Sequence, residues 1–76
     1  MDVRFFMEKF LKQVQEILDT ETEIQPEMTL AELDWDSLAT VSFLAMVSVE
    51  YEKNLRRADF RNAVTVQDLF DIVTAD

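Results

Sequence analysis

The chain has 76 residues, of which 49% are hydrophobic, and a formal net charge of −9. This composition favours one small folded domain, which we predict over residues 1–76. The chain contains no cysteine and no histidine, which excludes disulfides, zinc sites built on those ligands, and catalysis by a cysteine nucleophile or a histidine base. An acidic surface repels nucleic acid and anionic membranes and attracts basic protein surfaces, although it also serves solubility.

The first ten residues do not have the pattern of a signal peptide, because charged side chains interrupt the apolar ones. The chain also lacks a run of about 18 apolar residues, the length that a helix needs to span a bilayer. We therefore expect a cytoplasmic protein with no membrane span and no nucleic-acid partner.

The first predicted element is a helix that begins after Asp2, its expected N-cap, and ends near Asp19. Apolar residues recur in it at three- and four-residue steps and form one stripe. The stripe consists of Val3, Phe6, Met7, Phe10, Val14, Ile17 and Leu18.

A long connection follows over residues 19–35 and contains the sole proline, Pro26. A short helical turn can begin in it at Thr29. Its apolar residues predict that it packs on the helices instead of extending into solvent. They are Ile24, Met28, Leu30 and Leu33.

The second predicted helix runs from about Ser37 to Glu52, with Asp36 as its cap. Two apolar stripes cover it, so it is either central in the fold or buries a second face on another molecule. One stripe consists of Thr40, Phe43, Leu44, Val47 and Tyr51, and the other of Leu38, Val41, Ala45 and Val49, with Ser42 and Ser48 beside it.

Two further helices are predicted in the last third of the chain. A short third helix has Asp59 as its cap and includes Phe60, and the last helix starts at Thr65, with Asp68 placed for a capping box. Strand and hairpin signals are absent, and the chain has no glycine. The predicted fold is an all-α, four-helix bundle. Its last helix buries Val66, Leu69, Phe70 and Val73, with Ile72 near the edge.

The segment Asp36-Ser37-Leu38 places a serine in the first turn of an apolar helix. A helix N-terminus offers free backbone N–H groups and a positive partial charge, which suit a phosphate group on the Ser37 hydroxyl. The simpler interpretation is that Asp36 and Ser37 only cap the helix.

This segment and its surroundings resemble the acyl carrier protein family. The family pattern is a long loop ending in Asp-Ser-Leu, an apolar helix, a short helix and a Thr-Val-x-Asp helix start, and here Asp36-Ser37-Leu38 and Thr65-Val66-Gln67-Asp68 match it. The resemblance implies an acyl-carrier-type bundle that is not an enzyme. It also implies that a phosphopantetheinyl transferase joins 4′-phosphopantetheine from coenzyme A to Ser37.

A carrier of this kind holds an acyl or aminoacyl group as a thioester. It presents that cargo to acyl-loading enzymes and to acyl-transfer or condensing enzymes, as in fatty-acid or polyketide biosynthesis. The resemblance further places Asp36 beside the metal and nucleotide of the transferase, and Leu38 in an apolar notch of partner enzymes. We predict no catalytic residue and no metal site in the chain itself.

The chain departs from the family pattern just before the serine, where relatives carry glycine or another small residue. Asp34 can make the turn, because Asp tolerates left-handed backbone better than most residues. Trp35 either packs on the core near the loop or stands partly exposed to contact a partner or the cargo.

The outer face of the second helix is apolar where many relatives are acidic. We assign Ala39, Val41, Ser42, Ala45, Ser48 and Val49 to this face, with charge left only near its ends. We therefore predict apolar docking in a specialised pathway. The predicted partner-binding residues are Asp34, Trp35, Val41, Ser42, Ala45 and Val49.

Five apolar residues are candidates to lie beside a space for the cargo: Phe43, Met46, Val47, Phe60 and Ala63. Ordinary core packing explains the same pattern, and the bulk of Phe43 and Phe60 favours a short or polar cargo. Two other functions remain open: a peptidyl or aminoacyl carrier, and an unmodified adaptor that binds a partner through the apolar face of the second helix. We expect a monomer, with a dimer as the alternative.

Overall fold

A computed structural model describes residues 3–75. Within that range the fold is all-α, as predicted, and has three α-helices: α1 (Val3–Leu18), α2 (Ser37–Glu50) and α3 (Val66–Thr74). The predicted short third helix is a 3₁₀ helix, Arg57–Phe60, so the described chain has three α-helices and not four. The predicted cap Asp2 and the side chain of Val3 lie outside the described part of the chain.

The core lies where α1, α2 and α3 meet, and its aromatic rings pack edge to face. Phe10 contacts Phe43, Tyr51 and Phe70 with ring centroids 5.8, 6.4 and 5.3 Å apart. Offset contacts of this kind add stability beyond the apolar area that they bury. The buried core residues are Phe10, Val14, Ile24, Phe43, Val47, Val66, Leu69, Phe70 and Val73.

The predicted stripes of α1 and α3 are confirmed with one exception. Phe6 is exposed, because it lies near the start of α1, ahead of Met7 and Phe10, the first described residues of the helix that reach the core. Its ring packs edge to face on that of Phe5, which is also exposed. None of the helices that the structure describes is long and apolar enough to cross a membrane.

The long connection packs on the helices, as predicted. Ile24 is fully buried in the core, and backbone hydrogen bonds tie the loop to the start of α3. The Leu30 N–H donates to the Val64 carbonyl at 2.8 Å, and the Val66 N–H donates to the Met28 carbonyl at 3.0 Å. The loop therefore has a fixed position beside α3 when it reaches α2.

Two predicted boundaries are wrong by two or three residues. The helix α2 ends at Glu50 and not at Glu52, because Glu52 adopts a left-handed backbone with φ of 55°. Asp59 is not the cap of the 3₁₀ helix: Arg56 occupies the cap position, and the Asp59 carboxylate accepts a hydrogen bond from the Arg56 N–H at 2.8 Å. Asp59 therefore stabilises the helix start from inside the helix.

Candidate functional site

The turn before α2 reverses the chain at Asp34. The predicted turn after Thr29 is present, and it closes with Asp34 in the left-handed region at φ of 55°. The Asp34 N–H donates to the Ala31 carbonyl at 3.3 Å, and the Trp35 N–H donates to the Leu30 carbonyl at 3.1 Å. These two bonds form a Schellman motif, in which a residue with positive φ reverses the chain. The prediction that Asp34 makes this turn is confirmed.

The helix α2 begins with a complete N-cap. The backbone of Asp36 is extended, and its Oδ1 atom accepts a hydrogen bond from the Ala39 N–H at 2.8 Å. Ser37 is the first helical residue, and its side chain is exposed. Within residues 3–75, the backbone N–H groups of Ser37 and Leu38 have no hydrogen-bond partner. An accessible hydroxyl beside two free N–H groups fits a covalently attached phosphate group.

Trp35 joins this turn to the core. Its indole Nε1–H donates to the Thr40 hydroxyl oxygen at 2.9 Å, and that hydroxyl donates to the Asp36 carbonyl at 3.1 Å. The indole ring packs edge to face on Phe43, with centroids 5.6 Å apart. The predicted packing of Trp35 on the core is confirmed, and a contact with a partner or a cargo stays a prediction. The role of Thr40 was missed, because the sequence pattern assigns it only to an apolar stripe.

A cleft of about 450 Å³ opens beside Ser37, between α2 and the 3₁₀ helix. Its apolar surface includes Phe43 and Phe60, two of the five residues predicted near a cargo space. The other three do not line it: Val47 is fully buried, and Met46 and Ala63 pack against the core. The lining residues are Leu30, Trp35, Asp36, Ser37, Thr40, Phe43, Arg57, Phe60 and Leu69.

Arg57 is the charged lining residue that the sequence did not indicate. The chain has seven basic residues, and four of them, Lys53, Arg56, Arg57 and Arg61, lie within residues 53–61. That concentration in an acidic chain was the available signal. It does not by itself show which of the four side chains reaches the cleft.

A second cleft, of about 590 Å³, lies on the other side of the α2 N-terminus. Asp34, Asp36 and Leu38 line it, together with residues at the end of α1. The structure thus divides the predicted residues into two groups: Trp35, Asp36 and Ser37 share the first cleft, and Asp34 and Leu38 face the second together with Asp36. Ser37 stands between two recesses.

The outer face of α2 is exposed along its length. Leu38, Val41 and Val49 are 73, 50 and 77% exposed, and Ala45 and Ser48 are exposed as well. Two assignments to this face need correction. Ala39 is buried, because it lies four residues before Phe43 and eight before Val47 and so belongs to the buried stripe. Ser42 is only partly exposed, at the border of the face.

Hydrogen bonds around the start of α3 fix the end of the loop that supports the site. Thr65 and Asp68 form the predicted capping box: the Asp68 N–H donates to the Thr65 hydroxyl at 3.2 Å, and the Asp68 carboxylate accepts from the Thr65 N–H at 3.0 Å. The same carboxylate accepts from the Val64 N–H at 2.8 Å. These backbone donors, Val64 first, hold the pKa of Asp68 below its usual value.

Comparison with known proteins agrees with this geometry. Neither a search of curated proteins nor a search of solved structures found a significant match. The family model described as "Phosphopantetheine attachment site" matches residues 8–73, which include most of α1, all of α2 and the 3₁₀ helix, and nearly all of α3. The chain therefore belongs to this family of non-catalytic carrier domains, whose cofactor is covalently attached 4′-phosphopantetheine.

Proposed function

We propose that residues 1–76 form one acyl carrier domain whose 4′-phosphopantetheine is attached to Ser37. The observation that carries this assignment is the exposed Ser37 side chain at the first position of α2, next to the N–H groups of Ser37 and Leu38, which have no partner among residues 3–75. The arm supplies a thiol that holds an acyl or aminoacyl group as a thioester, and the domain presents this group to partner enzymes. These 76 residues contain no cysteine, so they supply no other thiol.

In the attachment step, a phosphopantetheinyl transferase acts on the Ser37 hydroxyl. A bond forms between Ser37 Oγ and the phosphorus atom of the phosphopantetheinyl group, the phosphoanhydride bond of coenzyme A breaks, and the nucleotide leaves. The hydroxyl proton passes to a base of the transferase. The chain contributes an exposed hydroxyl, two N–H donors for the phosphate, and the Asp36 carboxylate, which the family resemblance places near the metal of the transferase.

Partner enzymes would dock on the exposed face of α2. We assign this role to Asp34, Trp35, Val41, Ser42, Ala45 and Val49. The exposure of Val41 and Val49 supports an apolar contact, since large apolar side chains grouped on one exposed face are typical of interaction sites. The acidic residues at its ends, Asp34, Asp36 and Glu50, would pair with basic groups at the rim of the partner surface.

The apolar face leads us to place the carrier in a specialised biosynthetic pathway instead of general fatty-acid synthesis. The assay is acylation of the modified protein by the enzymes of a general fatty-acid synthase. We expect slow acylation, because those enzymes would meet an apolar face where they require acidic residues. Efficient turnover would rule out the specialised assignment and leave the carrier function standing.

The attachment site is tested by mass spectrometry after incubation with coenzyme A and a promiscuous phosphopantetheinyl transferase. We expect a mass increase of one phosphopantetheinyl group in the wild-type chain and none in Ser37→Ala. Ser48→Ala is the matched control, because Ser48 is also an exposed serine on α2, and it should be modified like the wild type. Modification of Ser37→Ala would move the attachment elsewhere.

The alternative function is an unmodified adaptor that binds its partner through the exposed face of α2. The exposure of Leu38, Val41 and Val49 favours a binding face in either case. A wild-type chain that is folded but gains no phosphopantetheinyl group from the transferase would support the adaptor over the carrier.

A further inference from the structure

Arg57 is a positively charged residue at the cleft beside Ser37. It lies at the first position of the 3₁₀ helix and is exposed. Within the described range, residues 3–75, its side chain makes no hydrogen bond and no ion pair. Its neighbours in the basic segment differ: Lys53 donates to the Ala75 carbonyl, and Arg56 and Arg61 do not line the cleft.

Among the described residues that line this cleft, Arg57 is the only one with a positive charge. Asp36 also lines the cleft, and its Oδ1 accepts a hydrogen bond from the Ala39 N–H. Within residues 3–75, no ion pair joins its carboxylate to Arg57. Leu30, Phe43, Phe60 and Leu69 make the wall apolar. A charge pair formed against such a wall is screened less than one formed in open water. A guanidinium also binds carboxylates and phosphates through two parallel hydrogen bonds.

We propose that Arg57 binds an anionic oxygen group carried on the arm, inside the cleft beside Ser37. This inference rests on the proposed attachment at Ser37, because the arm must start there to reach the cleft. The chain carries a net charge of −9, so Arg57 gives this recess a positive group that can attract an anion on a surface that is acidic overall.

Two sources supply this chemistry. The phosphodiester at Ser37 is present in every modified form, and the free N–H groups of Ser37 and Leu38 also serve it. A terminal carboxylate on a short acyl cargo is present only in the loaded form, and Arg57 is the one cationic lining residue, among those the structure describes, that could bind it. In the second case the cleft selects short dicarboxylic acyl groups.

The experiment observes the Arg57 side chain directly by ¹H–¹⁵N NMR of arginine Nε–Hε groups. The chain is prepared unmodified, with the bare arm, and with the arm delivered from acetyl-coenzyme A or from succinyl-coenzyme A. The Arg57 signal is assigned with Arg57→Gln, and Arg61→Gln identifies the control arginine on the adjoining turn. Phosphorus NMR of the same samples follows the phosphodiester.

If the phosphodiester is the ligand, the Arg57 signal shifts on attachment of the bare arm, and Arg57→Gln changes the phosphorus signal. If the cargo carboxylate is the ligand, the shift appears with succinyl and not with acetyl cargo. An unchanged Arg57 signal in all four forms overturns the inference, as does an equal shift at Arg61 or a shift shared by both cargoes but absent with the bare arm. Mass spectrometry of the same samples shows whether the arm is attached. If no arm is attached, the proposed function fails as well; if the arm is attached, only the role of Arg57 is under test.

Discussion

Substitution of Asp36 separates its structural contribution from its proposed role in modification. In Asp36→Ala the Ala39 N–H loses the acceptor that lies 2.8 Å away. Loss of an N-cap side chain costs about 1 kcal/mol, within a range of about 0.5–2 kcal/mol. For a domain of this size, 1 kcal/mol lowers the melting temperature by about 4–8 °C. The folded state has about 4–11 kcal/mol in total at this chain length, so the variant should remain folded.

Asp36→Asn is the matched variant. The asparagine side-chain oxygen can accept the same hydrogen bond, and Asn and Asp are similarly favoured as N-caps. We expect its stability to lie within a few tenths of a kcal/mol of the wild type, about the spread between good caps. The variant nevertheless removes the negative charge. If the carboxylate contacts the metal of the transferase, loss of a charged contact worth about 1.5–3 kcal/mol slows modification roughly tenfold or more.

Two measurements complete this test. Urea denaturation followed by the fluorescence of Trp35, the sole tryptophan, gives the stability of each variant, and mass spectrometry gives the rate of phosphopantetheine attachment. Equal destabilisation by Ala and Asn would refute the cap argument. An unchanged attachment rate in Asp36→Asn would refute the role of the charge.

Three further substitutions test the turn, the core and the loop anchor. Asp34→Gly should raise the free energy of unfolding by about 0.5–1 kcal/mol, because glycine adopts positive φ without a Cβ penalty, whereas Asp34→Ala should lower it; urea denaturation decides. Phe43→Ala should cost about 3–5 kcal/mol, since Phe43 is 1% exposed and touches three aromatic rings, and Phe43→Leu should cost clearly less in thermal melts. The lowered pKa of Asp68 means that its contribution to stability is present above about pH 4 and is lost as pH falls through the folded-state pKa. In Asp68→Asn the free energy of unfolding should therefore fall less steeply as the pH is lowered below about 4. The same pH dependence as in the wild type would contradict this role of Asp68.

The parts of the fold that local chemistry controls were predictable. A cap such as Asp36 or Thr65 requires only an oxygen two or three residues before a backbone N–H, so the sequence alone shows it. The ends of α2 and of the 3₁₀ helix were misplaced because they depend on backbone angles. The positive φ of Glu52 has no fixed sequence pattern. Asp59 accepts from the N-cap N–H as Asp68 does, but its N-cap is Arg56, which lacks the hydroxyl of the usual capping-box signature.

The turn before Ser37, which contains no glycine, was also predictable only in part. Residue type alone indicated that Asp34 could adopt a left-handed backbone. The two hydrogen bonds that make the turn a Schellman motif depend on how Leu30 and Ala31 are held. Those positions are fixed by the pairing of the loop with the start of α3, which joins residues more than 30 positions apart.

The sequence by itself determined the helical pattern, the acidic charge, and the position of Ser37 directly after a capping residue, because each of these follows from neighbours along the chain. Only the tertiary structure decided that Trp35 bonds to Thr40 and that Arg57 reaches the recess beside Ser37. The reason is physical: these arrangements arise where α2, the loop and the 3₁₀ helix pack together, and the packing of distant segments is not contained in local periodicity.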